Sequence, residues 1–420
     1  MSVTNLTARQ DVANRPSKGL ASDLMTAALF LAVALLPFQN SALSELGLGG
    51  FGLALSAVPI AAVAVLGALR AAAQPASVSL QPWALVVIAY VGVITLFGLW
   101  HFDWSYRDTP LLKKAAFAAI QWTFLAVGVG VGLACGRHVM RSAVRVAIVM
   151  NVLGFLLQPD RAVAGNAEHA VGFSTEASHF GVVTVGIGLL GAYLAASNSE
   201  RYVIVLVTLL LAVLSGSKGA MLCIALTAVI VMTYRGHSSG LRRVLLSVAV
   251  GVMAAALIVT ALMKISLDLQ RFTSSATRAS GAITAIAVAS EYPFGVGLGG
   301  FYPAFAETVP GSWRIIASAL GLSVNLQEVF AFAYTDDRNL SSKTFLLDTL
   351  IYFGWPGLIA VLVFLVRTTV RWLKADIEGA GWMAAALVFS VLAAGTYYTV
   401  MPFYVVPILV GFALRELSRI

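Results

Sequence analysis

Long apolar runs recur along the chain, separated by short polar breaks. They run through Leu, Val, Ala and Ile without the strict alternation of a barrel strand, and many approach the roughly 20 residues a helix needs to cross about 30 Å of hydrocarbon. Spans are expected at roughly 21–38, 51–69, 82–100, 115–135, 142–158, 177–196, 202–214, 219–234, 244–263, 346–366, 381–397 and 401–416. Backbone groups in lipid must bond within their own segment, so continuous runs of this kind predict helices. The expected fold is an all-α polytopic membrane protein of about 12 transmembrane helices. Residues 1–20 read as a short cytoplasmic tail and 21–420 as a single transmembrane domain. Between the ninth and tenth spans, residues 264–345 form the one long interval not dominated by membrane-length apolar runs. This interval is expected to be a large extracytoplasmic loop containing short helices.

Composition strengthens the membrane assignment. A chain of 420 residues that is 59% hydrophobic and 11% charged has more apolar surface than one soluble core can hide. The net charge of +8 would raise the question of nucleic acid in a soluble protein. Here the basic residues are scattered in twos and threes between apolar runs, without a stripe or interleaved aromatics, and a role in topology is expected instead. With the N-terminus inside, most Lys and Arg fall in short cytoplasmic segments, among them Arg137, Arg141, Arg145, Arg201, Arg415 and Arg419. An even number of spans then places both termini in the cytoplasm. Cys135 and Cys223 lie in apolar runs without CxxC spacing, which excludes a zinc or disulfide framework.

Polar residues that interrupt this pattern are the candidate chemistry. In GFSTEASHFG (172–181), Glu176 and His179 are three apart and share a helix face at the mouth of the sixth span. Glu176 is the candidate general base or hydroxyl-binding group, with His179 beside it. In SGSKGA (215–220) a tight turn carries Lys218 at the start of the next helix, a natural anion site. The long interval opens with Lys264, Arg271 and Arg278 seven apart, so that Arg271 and Arg278 share a face of a short amphipathic helix near 268–290 and suit bidentate binding of phosphate. The glycines of PFGVGLGGF (293–301) lack the strand and helix context of a dinucleotide fingerprint and are expected to let the backbone approach a helix or a ligand closely. Tyr302, with Trp100, Trp104, Tyr106, Phe305, Trp313 and Tyr334, offers faces for sugars. Asp348 is an acid inside the tenth span, with Lys343, Arg271 and Lys218 as candidate partners, and the following YFGWPG predicts a kink.

These segments together resemble the O-antigen polymerase and O-antigen ligase superfamily of bacterial surface-polysaccharide assembly. Over about residues 140–366, GFSTEASHFG is similar to the family's Gly-Phe-x-x-Glu-Pro-Ser segment, SGSKGA to its Ser-Arg-Thr-Gly turn, PFGVGLGGF to its Pro-x-Gly-x-Gly segment, and FLLDTLIYFGWPGL to its closing span. The resemblance implies a glycosyltransferase of the bacterial inner membrane, using no metal or other cofactor. Its donor would be an undecaprenyl pyrophosphate-linked oligosaccharide on the periplasmic side, with a flippase and a chain-length regulator as pathway partners. Lys218 stands where the family usually has Arg, Arg271 or Arg278 matches the basic position opening the large loop, and Arg161 with Gly172 fits an Arg-x10-Gly spacing. Two departures are visible: Ala177 replaces the Pro, and SSKTF stands where ligases carry a His. Polymerisation of repeat units is therefore expected over ligation to lipid A core or protein, with a lipid-linked glycan flippase as the alternative of a different class.

Overall fold

A computed structural model describes residues 20–39, 41, 54–73, 82–158, 172–174, 177–235, 273–320, 341–396 and 404–420. Its helices are α1 (Leu20–Ala34), α2 (Ala57–Ala73), α3 (Pro82–His101), α4 (Leu111–Ala134), α5 (Arg137–Leu157), α6 (Ala177–Leu194), α7 (Asn198–Leu214), α8 (Lys218–Arg235), α9 (Thr273–Glu291), α10 (Gly297–Leu320), α11 (Phe345–Lys374), α12 (Ala380–Thr396) and α13 (Val405–Leu417). Every expected span coincides with a helix except the ninth, 244–263, which lies outside the described residues. The α3, α4, α5 and α11 helices are long and apolar enough to cross a membrane, and five shorter apolar helices accompany them. Only 17% of the apolar window of α3 is buried, and its Val86, Ile88, Val93 and Leu96 face outward, as do Tyr202, Leu206 and Leu210 of α7. Hydrocarbon is the surrounding that leaves so continuous an apolar surface undisturbed.

Large buried side chains such as Trp372, Phe305, Phe389 and Phe412 fill the interior, and glycine and alanine set its closest helix contacts. In α4, Gly128 and Gly132 are spaced GxxxG and face Pro407, Ile408 and Gly411 of α13, where a methyl at Gly132 would strike the Ile408 carbonyl. Close backbone approach of this kind maximises van der Waals contact where lipid supplies no hydrophobic drive. The α12 helix, rich in alanine, packs against α6, α8 and α11, with Met383, Ala384, Leu387 and Phe389 buried.

Charged residues gather at one end. Arg137 pairs with Glu416 (3.4 Å), which also accepts from the Tyr193 hydroxyl. Arg415 donates to the Cys135 carbonyl, Arg141 to Leu194 O at 2.6 Å and Arg201 to Ala192 O at 3.0 Å. Arg145 grips Glu200 with two bonds, 2.7 and 2.9 Å, and this hydrogen bonding holds the Glu200 carboxyl below the usual glutamate range. The α4–α5, α6–α7 and α11–α12 connections and the end of α13 thus form one rim, made of the residues expected on the cytoplasmic side.

Within the interval 264–345, the described residues 273–320 form two long packed helices where short loop helices were expected, and 264–272 and 321–340 lie outside the described residues. Its described part holds α9 and α10, an antiparallel hairpin with α9 packed on α11 and α10 on α3 and α4. Their Ala, Ser, Thr and Gly content gives a weak hydropathy signal but suits close packing. The connecting turn is wedged against a break in α11. Gly354 there has φ 62° and ψ −165°, and Pro356 follows. Trp355 N donates to Pro293 O (3.0 Å) and Val296 N donates to Ile351 O (3.1 Å). The Tyr90 hydroxyl of α3 donates to Phe294 O and Phe353 O, each at 2.8 Å. Gly295 and Gly354 lie backbone to backbone, and a methyl at Gly354 would run into Pro293 O. The expectation that the 293–301 glycines allow close approach to a helix is met here, at α11 and α3.

Gly354→Ala should cost about 2–5 kcal/mol, from a positive φ on a non-glycine residue together with overpacking against rigid backbone. Gly311→Ala, where nothing lies within 4 Å of the added methyl, serves as control. Thermal unfolding in mild detergent should show a large loss for the first and none for the second.

Candidate functional site

The end of the bundle opposite the charged rim is organised by the start of α11. Thr344 is the N-cap residue, and Asp348, one turn in, is 1% exposed. Its carboxylate accepts from the Ser341 hydroxyl (2.8 Å), the Ser342 amide (2.7 Å) and the Ser342 hydroxyl (2.8 Å). Lys343, at φ 65°, donates its amide to the Ser341 hydroxyl at 3.0 Å. The chain entering α11 is thereby coiled around one buried acid. Gly281 of α9 lets Ser342 approach closely, and Arg278 lies one turn before Gly281 on that face, half-buried. Across the hairpin, Thr284 donates to Ser312 at 2.7 Å.

A second group forms around the α7–α8 turn. The Ser215 hydroxyl donates to Ala212 O at 2.7 Å, and Gly216 takes φ 64°, a left-handed turn residue. The Ser217 hydroxyl accepts from the Ala220 amide (3.3 Å), capping α8, and Gly181 of α6 sits against Ser215, Ser217 and Ala220. His179, in the first turn of α6, is half-buried. Contacts join this group to the first. Cys223 Sγ is 3.4 Å from the Thr396 hydroxyl at the end of α12, and Gly395 beside it adjoins Leu346 of α11.

Tyr302 lies apart from both groups. It is buried against Leu99 and Leu111, edge-on to Tyr106 at 5.3 Å, with the Lys114 ammonium 4.7 Å from its ring centre. Tyr106 belongs to a two-stranded hairpin, Ser105–Tyr106 paired with Thr109–Pro110, whose turn residues Arg107 and Asp108 both have positive φ. Burial raises the Tyr106 hydroxyl above the ordinary tyrosine range. Trp100 and Trp104 are exposed beside it.

Of the candidate residues, Arg278 and Lys343 share the α9–α11 junction, while His179 and the backbone of Lys218 share the α6–α8 junction. Arg161, Glu176 and Arg271, and the side chain of Lys218, lie outside the described residues. The partners found for Asp348, Ser341 and Ser342, were not among the expected ones. The available signal was a Ser-Ser-x-Thr run before an apolar helix with an acid in its first turns, a pattern that reads as capping.

No family model matches the chain. It is similar to an "Uncharacterized 49.5 kDa protein in cps region" of Klebsiella pneumoniae, 25% identical over 357 residues, covering 80% of each chain.

Removing the carboxylate takes the acceptor from the Ser341 hydroxyl and the Ser342 amide and leaves the Ser342 hydroxyl to Thr344 O at 3.0 Å, so Asp348→Ala should cost about 2–3 kcal/mol and Ser342→Ala about 1–2 kcal/mol. Unfolding in mild detergent reads both. Wild-type stability in Asp348→Ala would mean that the carboxylate does not hold the entry to α11.

Proposed function

We propose that the protein polymerises lipid-linked oligosaccharide repeat units of a capsular, exopolysaccharide or O-antigen type on the periplasmic side of the bacterial inner membrane. The support is spatial. Gly181 packs against the 215–220 turn, the start of α11 reaches α8 through Gly395 and Thr396 of α12, and the hairpin carrying Arg278 is docked on the start of α11. The relative's place in a cps region, which we read as a capsular-polysaccharide gene cluster, agrees with glycan chemistry. With the charged rim cytoplasmic by the positive-inside rule, this end faces the periplasm.

In the proposed reaction a sugar hydroxyl oxygen of the acceptor attacks the anomeric carbon of the donor. The carbon–oxygen bond to the carrier breaks, and undecaprenyl pyrophosphate leaves with the electron pair. Lys218, Arg271 and Arg278 stabilise the negative charge that develops on the leaving group. Glu176 takes the hydroxyl proton, with His179 beside it. Arg161 and Lys343 bind the glycan or its phosphates at the margins, and the aromatic shelf of Trp100, Trp104 and Tyr106, backed by Tyr302, takes sugar faces. Residues 341–345 read Ser-Ser-Lys-Thr-Phe where the ligases of the resembled superfamily carry a histidine, a departure that favours polymerisation. A flippase supplying the donor and a regulator of chain length are the expected partners in the pathway.

Purified protein in vesicles, given lipid-linked repeats, should lengthen chains on the carrier. Arg278→Ala and Lys218→Ala should each slow lengthening by about 10²-fold, the scale of losing one preorganised charge stabiliser. Transfer to a different acceptor would support a ligase, movement between leaflets at unchanged length a flippase, and full activity of both variants would remove the pyrophosphate assignment.

A further inference from the structure

The α5 helix divides its polar residues between two faces. Arg137, Arg141 and Arg145, four apart, turn toward α6, α7 and α13, where each has its partner on the charged rim. His138 and Ser142 turn the other way, toward α1. There they line an open groove of about 680 Å³ together with Val139 and with Asp23, Thr26, Ala27, Phe30 and Leu31 of α1. The groove is polar at the end of the bundle and apolar further in. Asp23 and His138 stand in the first turns of their helices, and Phe30 and Leu31 follow Asp23 at a depth of about 10 Å along the α1 axis. A carboxylate and an imidazole at one end of an open groove, with phenylalanine and leucine further along it, match a molecule with the same gradient.

We propose that this groove binds a phospholipid with a primary-amine headgroup, of the phosphatidylethanolamine class. The ammonium donates to the Asp23 carboxylate, the phosphate accepts from the His138 imidazole N–H, and an acyl chain lies along Val139, Phe30 and Leu31. Charge and hydrogen bonding select this headgroup over its neighbours. A phosphatidylglycerol brings net negative charge to Asp23 and no cation to answer it. A phosphatidylcholine carries its positive charge on a quaternary nitrogen that cannot donate a hydrogen bond. The lipid would bridge α1 to α5 beside the charged rim, at a distance from the glycan-handling end set by the length of the bundle.

The full chain is reconstituted in vesicles of equal parts phosphatidylethanolamine, phosphatidylglycerol and phosphatidylcholine and extracted in mild detergent, and retained lipid is counted per protein by mass spectrometry. Phosphatidylethanolamine should be enriched, and Asp23→Asn should reduce that enrichment about tenfold, the scale of one hydrogen bond to a charged group. Leu31→Trp, which fills the apolar end, should lower retention of the lipid while the helical circular dichroism stays at the wild-type level. Equal retention of the three lipids, preference for phosphatidylglycerol, or enrichment unchanged in Asp23→Asn would overturn the proposal. So would enrichment that arises only after residues 1–19 are deleted, because the groove would then belong to the chain's own tail.

Discussion

At Gly354 the helix that begins at Phe345 leaves α-helical geometry, and its peptide groups need partners from elsewhere. A break of this kind is tolerable within a membrane-spanning helix only where protein covers it and satisfies the freed groups. The turn between α9 and α10 does both. It presents Pro293 O to Trp355 N and takes Ile351 O with Val296 N, while Tyr90 of α3 closes the arrangement by donating to a carbonyl on each side. Each irregular segment is the other's hydrogen-bonding environment. The arrangement explains why glycine stands at both 295 and 354: any side chain at either position would separate the two backbones.

Much of the functional end follows from that junction. Fixing the tip of the hairpin against α3 and α11 fixes the direction of α9, which brings Gly281 onto Ser342 and holds Arg278 near the entry to α11. The entry is itself rigid because Ser341 and Ser342 fold back on Asp348. Arg278 therefore stands on a braced helix, and the entry to α11 reaches α8 through the end of α12. For the proposed transfer from a pyrophosphate carrier such bracing would be an advantage, since charge stabilisation by preorganised groups needs no reorganisation during the reaction.

The helices were legible in the sequence because long Leu, Val and Ile runs carry an unambiguous signal. The α4–α13 contact was not, since it depends on which glycines face each other. The hairpin α9–α10 was half legible. PFGVGLGGF announced a close approach and YFGWPG a kink, but nothing in either segment says that the two meet. Thr273–Glu291 is rich in Ala, Ser and Thr, residues whose hydropathy reads as surface although their small size suits a tightly packed interior. The hydroxyl partners of Asp348 are not legible in the pattern, because serines before a helix ordinarily read as caps and not as partners of a buried carboxylate. From the sequence Tyr302 reads as one of several aromatics with a face for sugars; its burial against Tyr106 depends on a hairpin of positive-φ residues that pattern alone does not reveal.

Residues 273–320 are part of the bundle, as a hairpin whose tip is buried at the break in α11. Cysteine accessibility reads this directly. In Val296→Cys and Ile315→Cys variants of the full chain in lipid nanodiscs, a membrane-impermeant maleimide should label position 315, which is 56% exposed, and should leave position 296, fully buried, unlabelled until the protein is denatured. Equal labelling of the two in the folded protein would contradict the account, because the tip would then be open to water and the broken helix would have lost its partner.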